Sequence, residues 1–186
     1  MTTGLCPACR RAVLDPGRTL VGPAALEVHA VGRYVGPLRR ILLDFKQGDR
    51  PDLAPWLAAL MAPPDPAGGM IVPVPTSPDR VRVRGYDHAL LLARQLGRAW
   101  GWPVAAGVLG RARVTPRLHA HGPRARIRLL RGAFVAIGAG RGDRVWLLDD
   151  LCTTGATLEG CRTTLAASGW GVRGGVVLAR ALPVMR

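Results

Sequence analysis

Acidic and hydroxyl side chains follow one another closely between Val145 and Leu158. The apolar run that ends at Leu148 predicts a buried strand, and Asp149 and Asp150 stand where that strand is expected to leave the sheet. In open α/β sheets, ligands bind at the carboxyl ends of strands. Paired carboxylates at such a position can accept hydrogen bonds from the vicinal hydroxyls of a sugar or hold a divalent cation.

The residues that follow the two acids predict an anion site. Hydroxyl side chains and a flexible glycine come just where a helix over residues 154–167 is expected to begin. The first backbone N–H groups of a helix have no intrahelical partner and the dipole is positive there, so they attract anions. A single Asp or Thr would suffice for ordinary capping, so the motif exceeds what a cap needs. The residues of this predicted phosphate loop are Thr153, Thr154, Gly155, Ala156 and Thr157.

Two acids followed by Thr-Thr-Gly-x-Thr resemble the motif with which type I phosphoribosyltransferases bind 5-phosphoribosyl-1-pyrophosphate (PRPP). Other stretches resemble the ComF family, phosphoribosyltransferase-like proteins associated with DNA uptake in natural transformation. The resemblance extends from about residue 31 to 180. The stretches that carry it are Tyr34 to Arg40 with Lys46, Val72 to Pro75, Arg84 to Tyr86, and Arg126 to Phe134.

The resemblance implies a role for each part of the motif. Asp149 and Asp150 would bind the ribose hydroxyls of PRPP, and the residues from Thr153 to Thr157 would hold its 5-phosphate. Mg²⁺ would assist, held largely by oxygens of the ligand and by water, and also near the two acids. The loop after Val74 would bind pyrophosphate, with Thr76, Ser77, Arg82 and Arg84 as the candidates.

The implied activity is transfer of the phosphoribosyl group to an unidentified acceptor with release of pyrophosphate. The basic stretch from Arg111 to Arg131 holds seven Arg and no acid, and it would serve as a lid that excludes water. No catalytic residue is assigned, since none of the three candidate bases His88, His119 and His121 stands out.

Three positions depart from the family's pattern. A single Cys-x-x-Cys pair, Cys6 and Cys9, stands where the family often has two, and structural zinc needs four ligands. We therefore expect a degenerate finger without zinc. Asp87 and Leu129 stand where the family is expected to have Asn, which leaves the acceptor undefined.

Two other functions stay open at the level of the sequence. The chain could be a non-catalytic nucleic-acid-binding component of DNA uptake, with single-stranded DNA or DNA-uptake proteins as partners, or a regulator that senses PRPP or a nucleotide. A formal charge of +14 favours polyanionic partners, and all but one of the 26 basic residues are Arg, Lys46 being the exception. The basic stretch from Arg111 to Arg131 offers phosphate contacts but contains no aromatic residue for base stacking.

Alternating strands and helices predict an α/β fold, with a parallel sheet flanked by helices as in type I phosphoribosyltransferases. Residues 1–30 are expected to form a small irregular appendage, and residues 31–186 the main domain. A loop is expected between Ser77 and Tyr86. Helices are predicted over residues 38–45, 53–60, 89–100 and 154–167, and strands over residues 70–74, 132–137, 145–148 and 174–179.

Composition limits where the chain works. With 48% hydrophobic and 20% charged residues it is typical of globular proteins, and no apolar run approaches the roughly 20 residues of a spanning helix. The first thirty residues lack the apolar stretch of a secretory signal, and four cysteines do not suggest a disulfide framework. We expect a cytoplasmic protein that does not insert into membranes.

Overall fold

The computed structural model describes residues 11, 13–15, 17–47, 50–112 and 132–181. A 3₁₀ turn at Pro51–Leu53 directly precedes the helix Ala54–Ala58. The strands are β1 (Gly17–Val21), β2 (Leu26–Arg33), β3 (Met70–Pro73), β4 (Leu109–Arg111), β5 (Phe134–Ala136), β6 (Arg144–Cys152) and β7 (Gly171–Arg180). The helices are α1 (Gly36–Gln47), α2 (Ala54–Ala58), α3 (Pro78–Arg84), α4 (His88–Trp100) and α5 (Ala156–Ala167).

The described residues form a mostly parallel sheet in the order β1-β2-β7-β6-β3. Strands β2, β7, β6 and β3 run parallel to one another, and β1 is antiparallel to β2. Strands β4 and β5 pair antiparallel in a second, two-stranded sheet. The predicted α/β class with a parallel sheet flanked by helices is confirmed.

Each side of the main sheet is covered by its own apolar layer. The first face packs against α1, α2 and α4, whose buried residues include Leu42, Leu57 and Leu92. The second face packs against α5 and the β4-β5 pair, with Leu158 and Phe134 in its core. Alternation along a strand sends neighbouring side chains to opposite faces. In β6 this places Trp146 and Leu148 on the first face, and Val145 and Leu147 on the second.

The N-terminal segment differs from the prediction. Strands β1 and β2 form a hairpin whose second strand lies hydrogen-bonded between β1 and β7, and the Val28 side chain is fully buried. The irregular appendage expected over residues 1–30 is therefore wrong for residues 17–30. Gly22 and Pro23, which interrupt the periodicity of this segment, form the turn between the two strands. Cys6 and Cys9 lie outside the described residues, so the degenerate finger stays a prediction.

The segment between Ser77 and Tyr86 also differs, because it contains helix α3 rather than only a loop. Ser77 is extended, Pro78 begins the helix, and Gly85 ends it in a left-handed conformation with φ 83°. Proline in the first turn and glycine just past the end are common helix boundaries. None of the residues of α3 is buried. Without an apolar stripe, the sequence offers no helical periodicity here.

Other elements follow the prediction with shifted ends. Helices α1, α4 and α5 and strands β3, β6 and β7 all correspond to predicted elements. Strand β5 does too, but it pairs with β4, for which the sequence gives no signal, outside the parallel sheet. Within the described ranges no helix is long and apolar enough to cross a membrane. Residues 113–131, which include most of the predicted lid as well as His119 and His121, are outside the described part of the chain.

Candidate functional site

The two predicted acids lie near the carboxyl end of β6, at the edge where the parallel strands β2, β3, β6 and β7 all end. Strand β6 continues past them, since Leu151 and Cys152 still pair with Ala179 and Arg180 of β7. The expected end of the strand at Leu148 was therefore too early. This extra pairing holds the backbone of both acids in the sheet and fixes the direction of each side chain.

The two carboxylates lie in different surroundings. Asp150 contacts groups from α1 and α4, the helices of the first face, and only 4% of its side chain is exposed. Asp149 is half-buried, and its charge acts on Cys161 of α5 and Arg111 of β4, which belong to the second face. Oδ1 of Asp149 also accepts a hydrogen bond of 2.8 Å from the backbone N–H of Asp150.

Lys46, near the end of α1, forms an ion pair with Asp150. Its Nζ lies 2.6 Å from Oδ2 of Asp150, and 23% of the lysine side chain is exposed. The hydroxyl of Tyr86 donates to the carbonyl of Phe45, which joins the end of α1 to the start of α4. Sequence reasoning did not place Lys46 in the site. The available signal was that it is the only lysine in an arginine-rich chain.

His88 approaches Asp150 from the first residue of α4. Its Nε2 lies 3.6 Å from Oδ1 of Asp150, and the guanidinium of Arg84 contacts its Nδ1. The Thr76 hydroxyl lies 3.2 Å from the same Nδ1, but its single proton goes to Oδ1 of Asp87 at 3.0 Å. Nδ1 of His88 therefore accepts a hydrogen bond from Arg84, and the ring proton lies on Nε2, directed towards Asp150. This tautomer is assigned from the hydrogen-bond network.

The pKa values of the two acids shift in opposite directions. Burial raises the pKa of Asp150, but the charge of Lys46 and the hydrogen bonds from Lys46 and His88 outweigh it and hold this pKa well below the ordinary value. Burial and the neighbouring negative charge of Asp150 raise the pKa of Asp149 well above its ordinary value. Burial lowers the pKa of Lys46, but the attraction of Asp150 more than offsets it, and the pKa is raised. In the ligand-free protein, Asp150 and Lys46 are therefore charged.

Among the described residues, His88, Asp149 and Asp150 could hold a metal ion, with ligand atoms within 4.8 Å of one another. Mg²⁺ prefers oxygen ligands in near-octahedral geometry, whereas this group offers one imidazole nitrogen and two carboxylates. One oxygen of Asp150 is already in contact with Lys46. The three side chains therefore fit Mg²⁺ poorly as its protein ligands, and oxygens of a bound phosphate would have to supply most of its coordination.

The predicted phosphate loop forms the turn from β6 into α5. Gly155 has φ 73°, in the left-handed region, and stands directly before the helix. A Cβ on Gly155 would lie 2.3 Å from Cβ of Val21, so the hairpin closes one side of the turn. The Thr154 hydroxyl accepts a long hydrogen bond of 3.5 Å from Ala156 N. Thr153 is exposed, and Thr154 and Thr157 are half-buried.

The four pyrophosphate candidates lie in different places, and only some of them are near the acids. Thr76 and Arg84 lie beside His88, and burial lowers the pKa of the Arg84 guanidinium. Ser77 is buried before α3. Arg82 is 80% exposed and lies 3.7 Å from Asp79 on its own helix, so the structure does not bring it to the acids. Arg111, expected in the lid, instead donates from Nε to the Pro75 carbonyl at 2.8 Å.

Asp87 explains one departure noted in the sequence. Its side chain accepts hydrogen bonds from the N–H groups of Ala89 and Leu90 and caps α4. The Thr76 hydroxyl donates to the same carboxylate. Because Asn caps helices about as well as Asp, an acid at this position is compatible with the same local structure. Cys161 of α5 is fully buried, and burial raises its pKa.

Comparison with known proteins gives weak likenesses. No family model and no curated protein matches the chain. UMP synthase of Leishmania donovani is 20% identical with TM-score 0.39, covering 77% of this chain and 24% of its own. Adenine phosphoribosyltransferase of Leishmania tarentolae is 14% identical with TM-score 0.43, and the match covers 88% of this chain and 94% of that protein. An allosteric regulatory enzyme of purine biosynthesis is 23% identical with TM-score 0.41, and the match covers 69% of this chain and 25% of that protein.

The chain thus spans about a quarter of the length of two of these proteins. At TM-scores this low the likenesses carry no argument. The fold class rests on the strand order and on the helices that cover each face of the sheet.

Proposed function

We propose that the chain binds PRPP at the carboxyl edge of β3 and β6 and transfers its phosphoribosyl group to an acceptor. One observation carries the proposal: Asp149 and Asp150 stand near the carboxyl end of β6, and the same segment continues into the left-handed Gly155 turn that begins α5. Acids followed by the first N–H groups of a helix suit a ribose diol followed by a phosphate.

The charge states of the acids fit a diol. Asp150, whose pKa is lowered, is an ionised acceptor for one hydroxyl proton. Asp149, whose pKa is raised, can carry a proton and so either donate to or accept from the neighbouring hydroxyl. The 5-phosphate would meet the N–H groups at the start of α5 and the hydroxyls of Thr153, Thr154 and Thr157. These roles would fall to groups of one short segment that runs from β6 into α5.

Transfer requires that the bond between the ribose C1 and the pyrophosphate oxygen breaks while the acceptor attacks C1. Mg²⁺ bound to the phosphates would stabilise the charge that develops on the leaving group. On the protein side, Thr76, Ser77 and Arg84 lie on the segment after β3 and are our pyrophosphate residues. Arg82 would have to change its side-chain conformation to take part. A preorganised cation at this position lowers the barrier electrostatically.

Membership in the ComF family is the finer proposal. It is supported by the stretches around Tyr34, Val72 and Arg84, because the structure brings parts of all three regions to one place. Lys46 follows the first stretch, Thr76 follows the second, and Arg84 contacts His88. The acceptor stays unidentified, and a cytoplasmic location stays a prediction from the sequence.

The test is calorimetric titration of the whole chain with PRPP and Mg²⁺. We expect binding in the wild type and its loss in Asp149→Asn/Asp150→Asn. A matched control, Asp44→Asn/Asp52→Asn, removes the same charge from two exposed positions and should bind normally. Equal PRPP affinity in the acid-pair variant would refute the proposed site. Where PRPP binds, pyrophosphate release with candidate acceptors then separates an enzyme from a regulator that senses PRPP.

Nucleic-acid binding is a second candidate, which one observation favours. Helix α3, beside the acids, exposes Arg80 and Arg82 on a surface where no residue is buried. Affinity for single-stranded DNA should fall steeply with salt, and Arg80→Gln/Arg82→Gln should flatten that slope by about two. The control Arg94→Gln/Arg98→Gln removes two exposed charges from α4. The same slope in both variants and the wild type would exclude α3 as the DNA contact.

A further inference from the structure

Lys46 occupies a position that a metal ion would need. Its ammonium lies 2.6 Å from Oδ2 of Asp150, one of the three side chains close enough to share an ion. His88 is directed to the other oxygen of the same carboxylate, with Nε2 3.6 Å from Oδ1. Both oxygens of Asp150 therefore face a nitrogen group of the protein. A divalent ion could reach this carboxylate only by displacing one of them.

The other charges around the acids also oppose an added cation. Arg84 contacts the far side of His88, and Arg111 interacts with Asp149 from the second face. Asp87, another acid near this group, accepts hydrogen bonds from the N–H groups of α4 and from Thr76. Three cationic side chains thus surround two carboxylates. A divalent cation placed between the acids would be repelled by these charges at short range, where protein surroundings screen poorly.

We propose that Lys46 is the resident cation of the acid pair in the ligand-free protein and keeps divalent metal out of it. Metal would then enter only with an anionic ligand whose own oxygens coordinate it. The inference concerns the ligand-free protein, so it stands or falls separately from PRPP binding.

Its first test uses the fact that Lys46 is the only lysine of the chain. Protein grown with ¹³C,¹⁵N-lysine gives one set of lysine NMR signals, which needs no assignment. We expect an ammonium Nζ–H signal protected from exchange by the ion pair, and its loss in Asp150→Asn. Substoichiometric Mn²⁺ should leave the Cε signal sharp. Strong paramagnetic broadening in the wild type, absent from Asp150→Asn, would place a metal at the acids and overturn the proposal.

The second test measures Mn²⁺ affinity by electron paramagnetic resonance. Lys46→Met removes the cation and should bind Mn²⁺ about tenfold more tightly than the wild type. Lys46→Arg keeps the charge and should resemble the wild type. The gain should vanish in Lys46→Met/Asp150→Asn. Equal affinities in wild type and Lys46→Met, with circular dichroism showing that both are folded, would overturn the proposal. If Lys46→Met does not fold, the NMR experiment decides alone.

Discussion

At the scale of single residues, the site depends on two neighbouring acids that do different work. Alternation along β6 directs Asp150 to the helices of the first face, where Lys46 and His88 hold it ionised. Among the described residues no cation forms an ion pair with Asp149, which lies beside the charge of Asp150. Two residues of the same type therefore differ in pKa because of what each faces.

We predict opposite effects when each acid is changed to Asn. Asp150→Asn leaves Lys46 without its counter-ion and should destabilise the protein by about 3 kcal/mol, the lower end for a broken buried pair because Lys46 is partly exposed. Asp149→Asn removes a carboxylate whose ionisation burial disfavours, so it should stabilise by about 1 kcal/mol at neutral pH. Urea unfolding at pH 7 measures both. Equal losses in the two variants would contradict the assignment.

The same pair predicts how stability changes with pH. The pKa of Asp150 is lowered in the folded state, so its contribution is present above the ordinary value of 3.8 and is lost as the pH falls through the lowered pKa. The pKa of Asp149 is raised, so its contribution is present below 3.8 and is lost as the pH rises through the raised pKa. The free energy of unfolding should be measured from pH 2 to 8. Asp150→Asn should reduce its fall below pH 3.8, and Asp149→Asn should reduce its fall above pH 3.8.

At the scale of elements, the turn between β6 and α5 depends on the N-terminal hairpin. Gly155→Ala must place a methyl group against Val21 and also adopt φ 73°. Gly101, with φ 69° and open space within 4 Å of where a Cβ would stand, is the matched control. Gly101→Ala should cost about 1–2 kcal/mol from the backbone alone. Gly155→Ala should cost clearly more in urea unfolding; equal losses would mean that Val21 moves away freely.

The cap of α4 connects this helix to the segment after β3. Asp87→Ala removes the acceptor for Ala89 N, Leu90 N and the Thr76 hydroxyl, so we expect a loss of about 1–2 kcal/mol. Asp87→Asn keeps an acceptor oxygen and should lose far less. Thermal unfolding of both variants measures the difference. If Asn were as costly as Ala, the charge of Asp87 rather than its capping geometry would be what matters.

Sequence patterns predicted many of the elements in which burial leaves a periodic trace, although they missed β2, in which buried and partly buried residues alternate from Leu26 to Ala30. The helix α4 shows apolar residues such as Ala89, Leu92 and Leu96 on one side, and the structure buries all three. Helix α3 buries nothing, so its arginines suggested only a loop. Strand β4 has three residues, too few for a pattern. Helix α3 and strand β4 could not be predicted, because the formation of such exposed or short elements depends on caps and neighbours.

At the scale of the molecule, the site is assembled from parts distant in sequence. The acids and Gly155 belong to one short segment of the chain, and their order predicted a ligand site from the sequence alone. Lys46 and His88 come from α1 and α4, and only the packing of these helices on one face brings them to Asp150. A single sequence does not encode which helices share a face in a readable pattern, so neither partner could be assigned beforehand.

The hairpin makes a prediction about where the chain can be shortened. A chain that begins at residue 31 lacks β1 and most of β2, which exposes the edge of β7 and the layer that Val28 and Val21 complete. It should no longer unfold cooperatively, and the near-ultraviolet circular dichroism signal of Trp146 should be lost. Cooperative unfolding of the shorter chain would instead mean that the parallel strands form a domain of their own, and that residues 17–30 are an addition to it.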